Sequence, residues 1–193
     1  MSYTLSMTGG AITAVSAQAR DESLEALAVR LQERQEGALE ALITRTQSAC
    51  SRLAMSILQD AELSRDALQE AYFVVYQRIG QLREPAALKS WLFRIVNHCC
   101  HDIRRARARQ PQSALPPDQQ ASADVSQDIH HQQDIRATFE QLPDIDRTAL
   151  ALREVCSMSY EEMSQVLNIP LGTVRSRLAK ARKRFIDAYQ GGA

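Results

Sequence analysis

The sequence predicts an all-α protein built as two small helical domains joined by a flexible linker. Apolar residues recur at helical spacing along most of the chain, and strand-like alternation is absent. One polar, proline-bearing stretch in the middle offers almost nothing to bury. Only seven glycines and 5% aromatic residues in 193 positions agree with helices. The length allows one large domain or two small ones.

Residues 1–23 are rich in Ser, Thr, Ala and Gly and are expected to form a loose tail. The first domain is then placed at 24–109. Leu24, Leu27 and Leu31 begin its helical pattern, followed by Leu39, Leu42 and Ile43, and by Leu53, Ile57 and Leu58. Leu68, Tyr72, Val75, Tyr76 and Ile79 continue it. A helix beginning after Pro85 carries Leu88, Trp91, Leu92, Ile95 and Val96 on one side and runs into the cluster RRARAR.

The composition then changes. Residues 110–133 are assigned to the linker, because Gln110 to Asp128 reads QPQSALPPDQQASADVSQD and has no apolar face. The second domain is placed at 134–188, with Ile135, Phe139 and Leu142, Pro143 in a first helical turn, and then Leu150, Leu152 and Val155.

From Ser159 to Phe185 the chain reads SYEEMSQVLNIPLGTVRSRLAKARKRF. Ser159 followed by Glu162 is a capping-box pattern, which starts a short helix with Met163 and Val166 inward. Asn168 can take the left-handed conformation that ends it. In the next helix Val174, Leu178, Ala181 and Phe185, at steps of four, three and four, form a buried stripe. Arg175, Ser176, Arg177, Lys180 and Lys183 are left on or beside the other face. Cap, turn, stripe and basic face together make a helix-turn-helix, whose second helix presents its N-terminal end to a DNA major groove. A C-terminal amphipathic helix with a merely solvated basic face explains fewer of these features.

The chain has 23 basic and 23 acidic residues, so it is not a nucleic-acid coat that binds through bulk charge. Charge is instead sorted along it. Asp21 to Glu70 holds ten carboxylates against five arginines, and Arg94 to Arg109 holds five arginines against Asp102 alone. Thr173 to Phe185 has six Arg or Lys and no carboxylate. DNA contact therefore rests on local patches, aided by another protein.

The cysteines Cys50, Cys99, Cys100 and Cys156 have no disulfide-framework spacing, and no secretory leader is evident, so a reducing cytoplasm is expected. No apolar run is long enough to span a bilayer, and no membrane insertion is expected. In NHCCHD, Asn97 to Asp102, His98 and His101 can share a metal while Cys99 and Cys100 diverge around the helix. Buried small thiols are the commoner case for such cysteines, so neither a metal nor another cofactor is expected. No glycine-rich phosphate loop, nucleophile elbow or paired-carboxylate motif points to an enzyme.

LREVCSMSYEEMSQVLNIPLGTVRSRLAKARKRF resembles region 4 of the extracytoplasmic-function sigma factors of bacterial RNA polymerase, the sigma-70 family's group 4. RDALQEAYFVVYQRI, Arg65 to Ile79, resembles their region 2.2, and SWLFRIVNHCCHDIRR, Ser90 to Arg105, resembles regions 2.3 and 2.4. The likeness covers about residues 24–109 and 134–186.

What it implies is an alternative sigma factor that docks on core RNA polymerase and directs it to promoter DNA. Asp66, Gln69, Glu70, Tyr72, Phe73 and Tyr76 would dock on the polymerase clamp, with Tyr72 standing where Phe is usual. Arg83, Trp91, Arg94, Asn97, His98, Arg104 and Arg105 would read and melt the −10 element, with His98 standing where Asn is frequent. Thr173, Arg175, Ser176, Arg177, Lys180 and Lys183 would read the −35 element. Such proteins are commonly held inactive by an anti-sigma factor covering both domains. The resemblance implies one here, with any membrane tether indirect and through that partner. The competing reading is a helix-turn-helix regulator with an N-terminal helical sensing domain, which would need a sigma factor already on the polymerase.

Overall fold

The structure, a computed structural model, describes residues 22–109 and 127–191. The expectations for the tail at 1–21 and for most of the linker lie outside these residues. Among the described residues there are eight α-helices and no strand.

Helix α1, Leu24–Gln32, starts where the Ser23 hydroxyl accepts the Ala26 amide at 3.1 Å, and it turns Leu27, Ala28 and Leu31 inward. Gly37, at φ 74°, supplies the left-handed residue that lets the chain re-enter a helix directly. Helix α2, Ala38–Leu58, ends in left-handed Gln59. The Asp60 carboxylate then caps α3, Ala61–Arg78, by accepting the Glu62 and Leu63 amides at 3.0 Å each. Two 3₁₀ turns, Ile79–Gln81 and Pro85–Ala87, lead into α4, Leu88–Arg109.

Helices α2, α3 and α4 pack on one another, and α1 closes the bundle. Its core holds Leu27, Leu31, Leu42, Leu53, Ile57, Leu88 and Leu92, all fully buried. Each such side chain contributes about 1.5–3 kcal/mol through the apolar area it removes from water.

The C-terminal half begins with α5, Gln127–Gln141, which starts ahead of the boundary expected at residue 134. Pro143 is the residue before the next helix and not within its first turn: α6, Asp144–Leu150, follows it and continues into a π-helical turn, Ala151–Val155. Arg147, buried beneath this turn, donates to the carbonyls of Glu140 at 2.8 Å and Leu142 at 3.2 Å, and so ties the end of α5 to α6. Then come α7, Tyr160–Leu167, and α8, Leu171–Gly191.

The two halves touch directly. Helix α7 lies along α4, while α6 and the π turn meet α2. The buried apolar residues of both halves form one cluster, from Leu27 to Ala181.

Candidate functional site

The helix-turn-helix assembles as its sequence dictates. The Ser159 hydroxyl accepts the Glu162 amide at 3.0 Å, and the Glu162 carboxylate accepts the Ser159 amide at 2.7 Å, which is the full capping box. Asn168 closes α7 in the left-handed conformation, at φ 51° and ψ 50°. Met163 and Val166 of α7 bury against Val174, Leu178 and Ala181 of α8, and Phe185 packs half-buried at the end of the stripe. The first turns of α8 then stand clear, with Thr173, Arg175 and Ser176 exposed and Arg177 partly covered.

Ion pairing sorts the cations of α8 into two kinds. Arg182 donates to Glu154, with its Nη2 at 2.7 Å, and this bond raises the guanidinium pKa. Arg184 pairs with Asp146, a carboxylate only 2% exposed. These two arginines hold α8 to the π turn and to α6. Arg175, Arg177, Lys180 and Lys183 make no salt bridge among the described residues. The half of the helix nearest its N-terminus therefore carries its charge uncompensated among the described residues, which suits a polyanion.

The basic end of α4 is different. Arg104 pairs with Asp144 of α6, Arg105 with Asp102, and Arg107 with Asp60 at 3.1 Å. Asp60 is held below the usual carboxylate range, chiefly by the Leu63 amide that it caps and further by Arg107. Arg83 and Arg94 are exposed. Trp91 is half-buried and lines an interhelical cavity of about 860 Å³ with Arg94, Asn97, His98 and the Val166–Asn168 end of α7. The Oδ1 atom of Asn97 is buried with no hydrogen-bond partner among the described residues.

On α3, Asp66, Gln69 and Glu70 are exposed, as are Phe73 at 55% and Tyr76 at 44%. Two large aromatic residues on solvent beside acidic and amide groups form a ready protein-docking face. Tyr76 is braced from below: the Arg34 guanidinium lies 4.5 Å from its ring centroid and also donates to its carbonyl. Tyr72 does not belong to this face. It is 8% exposed, its hydroxyl lies 2.9 Å from that of Thr46 on α2, and burial pushes its pKa up. The helical period turns position 72 inward with Ala71 and Val75, so the phenol is a packing group.

His98 stands exposed, with Nε2 3.3 Å from Asp102, and His101 is half-buried, its pKa lowered by burial and then by Arg104. Cys50, Cys100 and Cys156 are buried, and desolvation raises their thiols to about 12, 12 and 11. Thiols so protonated are poor metal ligands and poor nucleophiles.

Comparison with known proteins places this geometry. Residues 42–110 match the family Sigma-70 region 2, and residues 132–185 match Sigma-70, region 4. The RNA polymerase sigma-H factor of Pseudomonas aeruginosa is 31% identical over 188 residues, covering 88% of this chain and 95% of that protein. The chain belongs to the extracytoplasmic-function sigma factors of the sigma-70 family. The ECF RNA polymerase sigma-E factor of Escherichia coli K12 is 28% identical over 180 residues, 86% of this chain and 94% of that one. Among solved structures, CnrH in complex with the cytosolic domain of CnrY shares the fold at TM-score 0.70 and 18% identity, over 89% of this chain and 100% of CnrH. RpoE in complex with the anti-sigma factor NepR from Bartonella quintana shares it at 0.63 and 21%, over 80% and 98%.

As a sigma factor the protein binds core RNA polymerase and directs it to promoters, acting as a transcription initiation factor. Two features of this sigma factor are not evident in its sequence. Ile135, Phe139, Leu150, Val155, Phe185 and Ile186 line an apolar groove of about 420 Å³ on the C-terminal half. Carboxylates of that half also reach the basic helix of the other, a pairing that joins residues 40 and 73 positions apart. Among the described residues no helix is long and apolar enough to cross a membrane.

Proposed function

We propose that three surfaces divide the work of this sigma factor. The exposed side of α3, through Asp66, Gln69, Glu70, Phe73 and Tyr76, docks on core polymerase. Arg83, Trp91, Arg94, Asn97, His98, Arg104 and Arg105, on and just before α4, engage and open the −10 element. Thr173, Arg175, Ser176, Arg177, Lys180 and Lys183 of α8 engage the −35 element. Residues 24–109 and 134–188 are the two working domains.

The observation that carries this reading is the uncompensated charge of the N-terminal half of α8. Burial of Val174, Leu178 and Ala181 fixes which way that helix faces. The cations that hold the helix in place are paired with Glu154 and Asp146, and the remainder have no carboxylate within ion-pair distance among the described residues. A helix N-terminus and free guanidinium groups suit phosphates and guanine edges.

An anti-sigma factor is part of this proposal, since both structural neighbours are sigma-type folds solved with a protein bound, one of them named an anti-sigma factor. Work on the chromosome places the protein in the cytoplasm.

The test is transcription from a genomic library with purified core polymerase, with and without this protein, followed by mapping of transcript starts. New starts sharing two upstream motifs are expected. Starts that require another sigma factor to be present would overturn the reading in favour of an activator.

A further inference from the structure

Where α4, α6 and α8 come together they leave a hollow of about 500 Å³. Among the residues lining it are Asn97, His101 and Arg104 of α4, Asp144 and Thr148 of α6, and Arg177 of α8. Sites for small molecules have volumes of this order.

The chemistry of the hollow is one-sided. Its single carboxylate, Asp144, is already engaged on both oxygens, Oδ2 by the Arg104 guanidinium and Oδ1 by that of Arg147. Arg177 makes no salt bridge among the described residues. Three guanidinium groups thus gather around one anion. Arg147, 4% exposed, has its pKa lowered by burial and further by the Arg104 charge.

Unmet polar atoms collect at the same place. Among the described residues, four buried side-chain N or O atoms have no hydrogen-bond partner: Asn97 Oδ1, Arg104 Nη1, Arg147 Nε and Thr148 Oγ1. Three belong to residues that line the hollow, and the fourth to the residue before Thr148. Thr148 is itself only 2% exposed. Guanidinium and hydroxyl groups have hydrogens to give, and a half-turn of the Asn97 amide exchanges its oxygen for the donor Nδ2. A group with acceptors and negative charge answers all of them.

We propose that this hollow is a binding site for a small oxyanion of the phosphate type, either the free ion or the phosphoryl group of a small metabolite. Arg104 and Arg177 supply charge-assisted hydrogen bonds to its oxygens, and side-chain rotation at Thr148 and Asn97 completes the donor set. A DNA duplex meets α8 on its exposed side, whereas Thr148 lies inside, so the site favours a compact ion over a nucleic-acid backbone. The inference rests on the packing of three helices and is independent of which promoter element each helix contacts.

His101 reports on the site from one wall. Burial lowers its pKa, and Arg104, Arg105 and His98 on its own helix act in the same direction, while Asp144 of α6 opposes them. An anion held beside Arg104 and Arg177 opposes them further and raises it.

The full chain is titrated with inorganic phosphate, and separately with ribose 5-phosphate, at an ionic strength held constant with sodium chloride. Calorimetry gives the affinity, and the His101 ring resonances followed across pH give its pKa with and without ligand. One saturable site is expected, with the His101 pKa raised on binding. Thr148→Val replaces the hydroxyl by a methyl group of similar size, and Arg177→Gln removes a charge that no carboxylate holds. Each is expected to weaken binding about tenfold or more, while Thr148→Ser restores the hydroxyl and binds like wild type. Tighter binding of ribose 5-phosphate assigns the hollow to a phosphorylated metabolite, and tighter binding of inorganic phosphate to the free ion. Absence of saturable binding by either probe overturns the inference, as does wild-type affinity in both weakened variants. Loss confined to Arg177→Gln places the anion on the open face of α8 and overturns the hollow as its site. If circular dichroism shows Thr148→Val unfolded, Arg177→Gln together with the His101 shift decides: an unshifted His101 pKa at saturating ligand overturns the site.

Discussion

The hydroxyls of Tyr72 and Thr46 meet at 2.9 Å in the interior of the N-terminal bundle and join α3 to α2. Thr46 also reaches the Leu42 carbonyl at 2.7 Å, so it keeps a partner if the phenol is removed. Tyr72→Phe should therefore lose only the polar contacts of its hydroxyl, to Thr46 and to the Cys50 thiol. A drop of about 0.5–1.5 kcal/mol in unfolding free energy is expected from urea titration, with unchanged affinity for core polymerase. Weaker core binding at undiminished stability would return Tyr72 to the docking face.

The exposed side of α3 should behave in the opposite way. Gln69→Ala with Glu70→Ala, and separately Phe73→Ala, leave the bundle core untouched. Helicity by circular dichroism should stay at the wild-type level while core affinity falls by about tenfold or more, as it does for central contact residues. Wild-type affinity in all these variants would remove the docking assignment.

On α8, reading and holding should separate. Arg175→Ala is expected to cost about 1–3 kcal/mol at the preferred −35 sequence and to flatten preference at one base position. Lys183→Ala should weaken all sequences alike and reduce the salt slope by about one counterion. Filter binding of holoenzyme across salt concentrations distinguishes them, and the reverse pattern would mean that the recognition helix lies the other way round.

Lys183 and Arg184 are neighbours with different duties. Removing Arg184 leaves Asp146, 2% exposed, without its cation. Arg184→Ala should lower stability by about 1–3 kcal/mol, whereas Lys183→Ala should leave it within about 0.5 kcal/mol. Thermal unfolding of the two variants side by side settles the matter, and equal melting temperatures would contradict it.

Asp60 gives the pH dependence a sign. Its folded pKa is depressed below the ordinary 3.8, so its contribution is fully present above that value and is lost as pH falls through the lower folded one. Asp60→Ala should cost about 0.5–2 kcal/mol at neutral pH, the usual worth of a helix cap. The gap from wild type should narrow as pH falls through the depressed folded pKa, where wild type loses the anion as well. A difference that persists undiminished into strong acid would place the effect elsewhere.

The helix-turn-helix was legible because its determinants are local. Capping box, left-handed Asn168 and the 174–178–181 stripe each lie within one or two turns, where spacing alone fixes which side chains meet. Tyr72 was misplaced for the converse reason. An aromatic residue on an amphipathic helix reads alike whether it faces a partner or the core, and the packing of α3 on α2, where Thr46 lies 26 residues away, makes the distinction. The pairs Arg107–Asp60 and Arg104–Asp144 span 47 and 40 residues. A cluster of arginines announces a polyanion but not which anions already attend it.

Arg104, Arg105 and Arg107 are each matched with a carboxylate of the same chain, and the protein as a whole is neutral. In a cell the chromosome is a vast sponge, offering on the order of 10⁶–10⁹ irrelevant sites to any protein with bare cations. A subunit that pairs these arginines of α4 with its own carboxylates gives that sponge less to hold, and leaves the free cations of α8 to it. Sequestration by random sequence then rests on one helix instead of two.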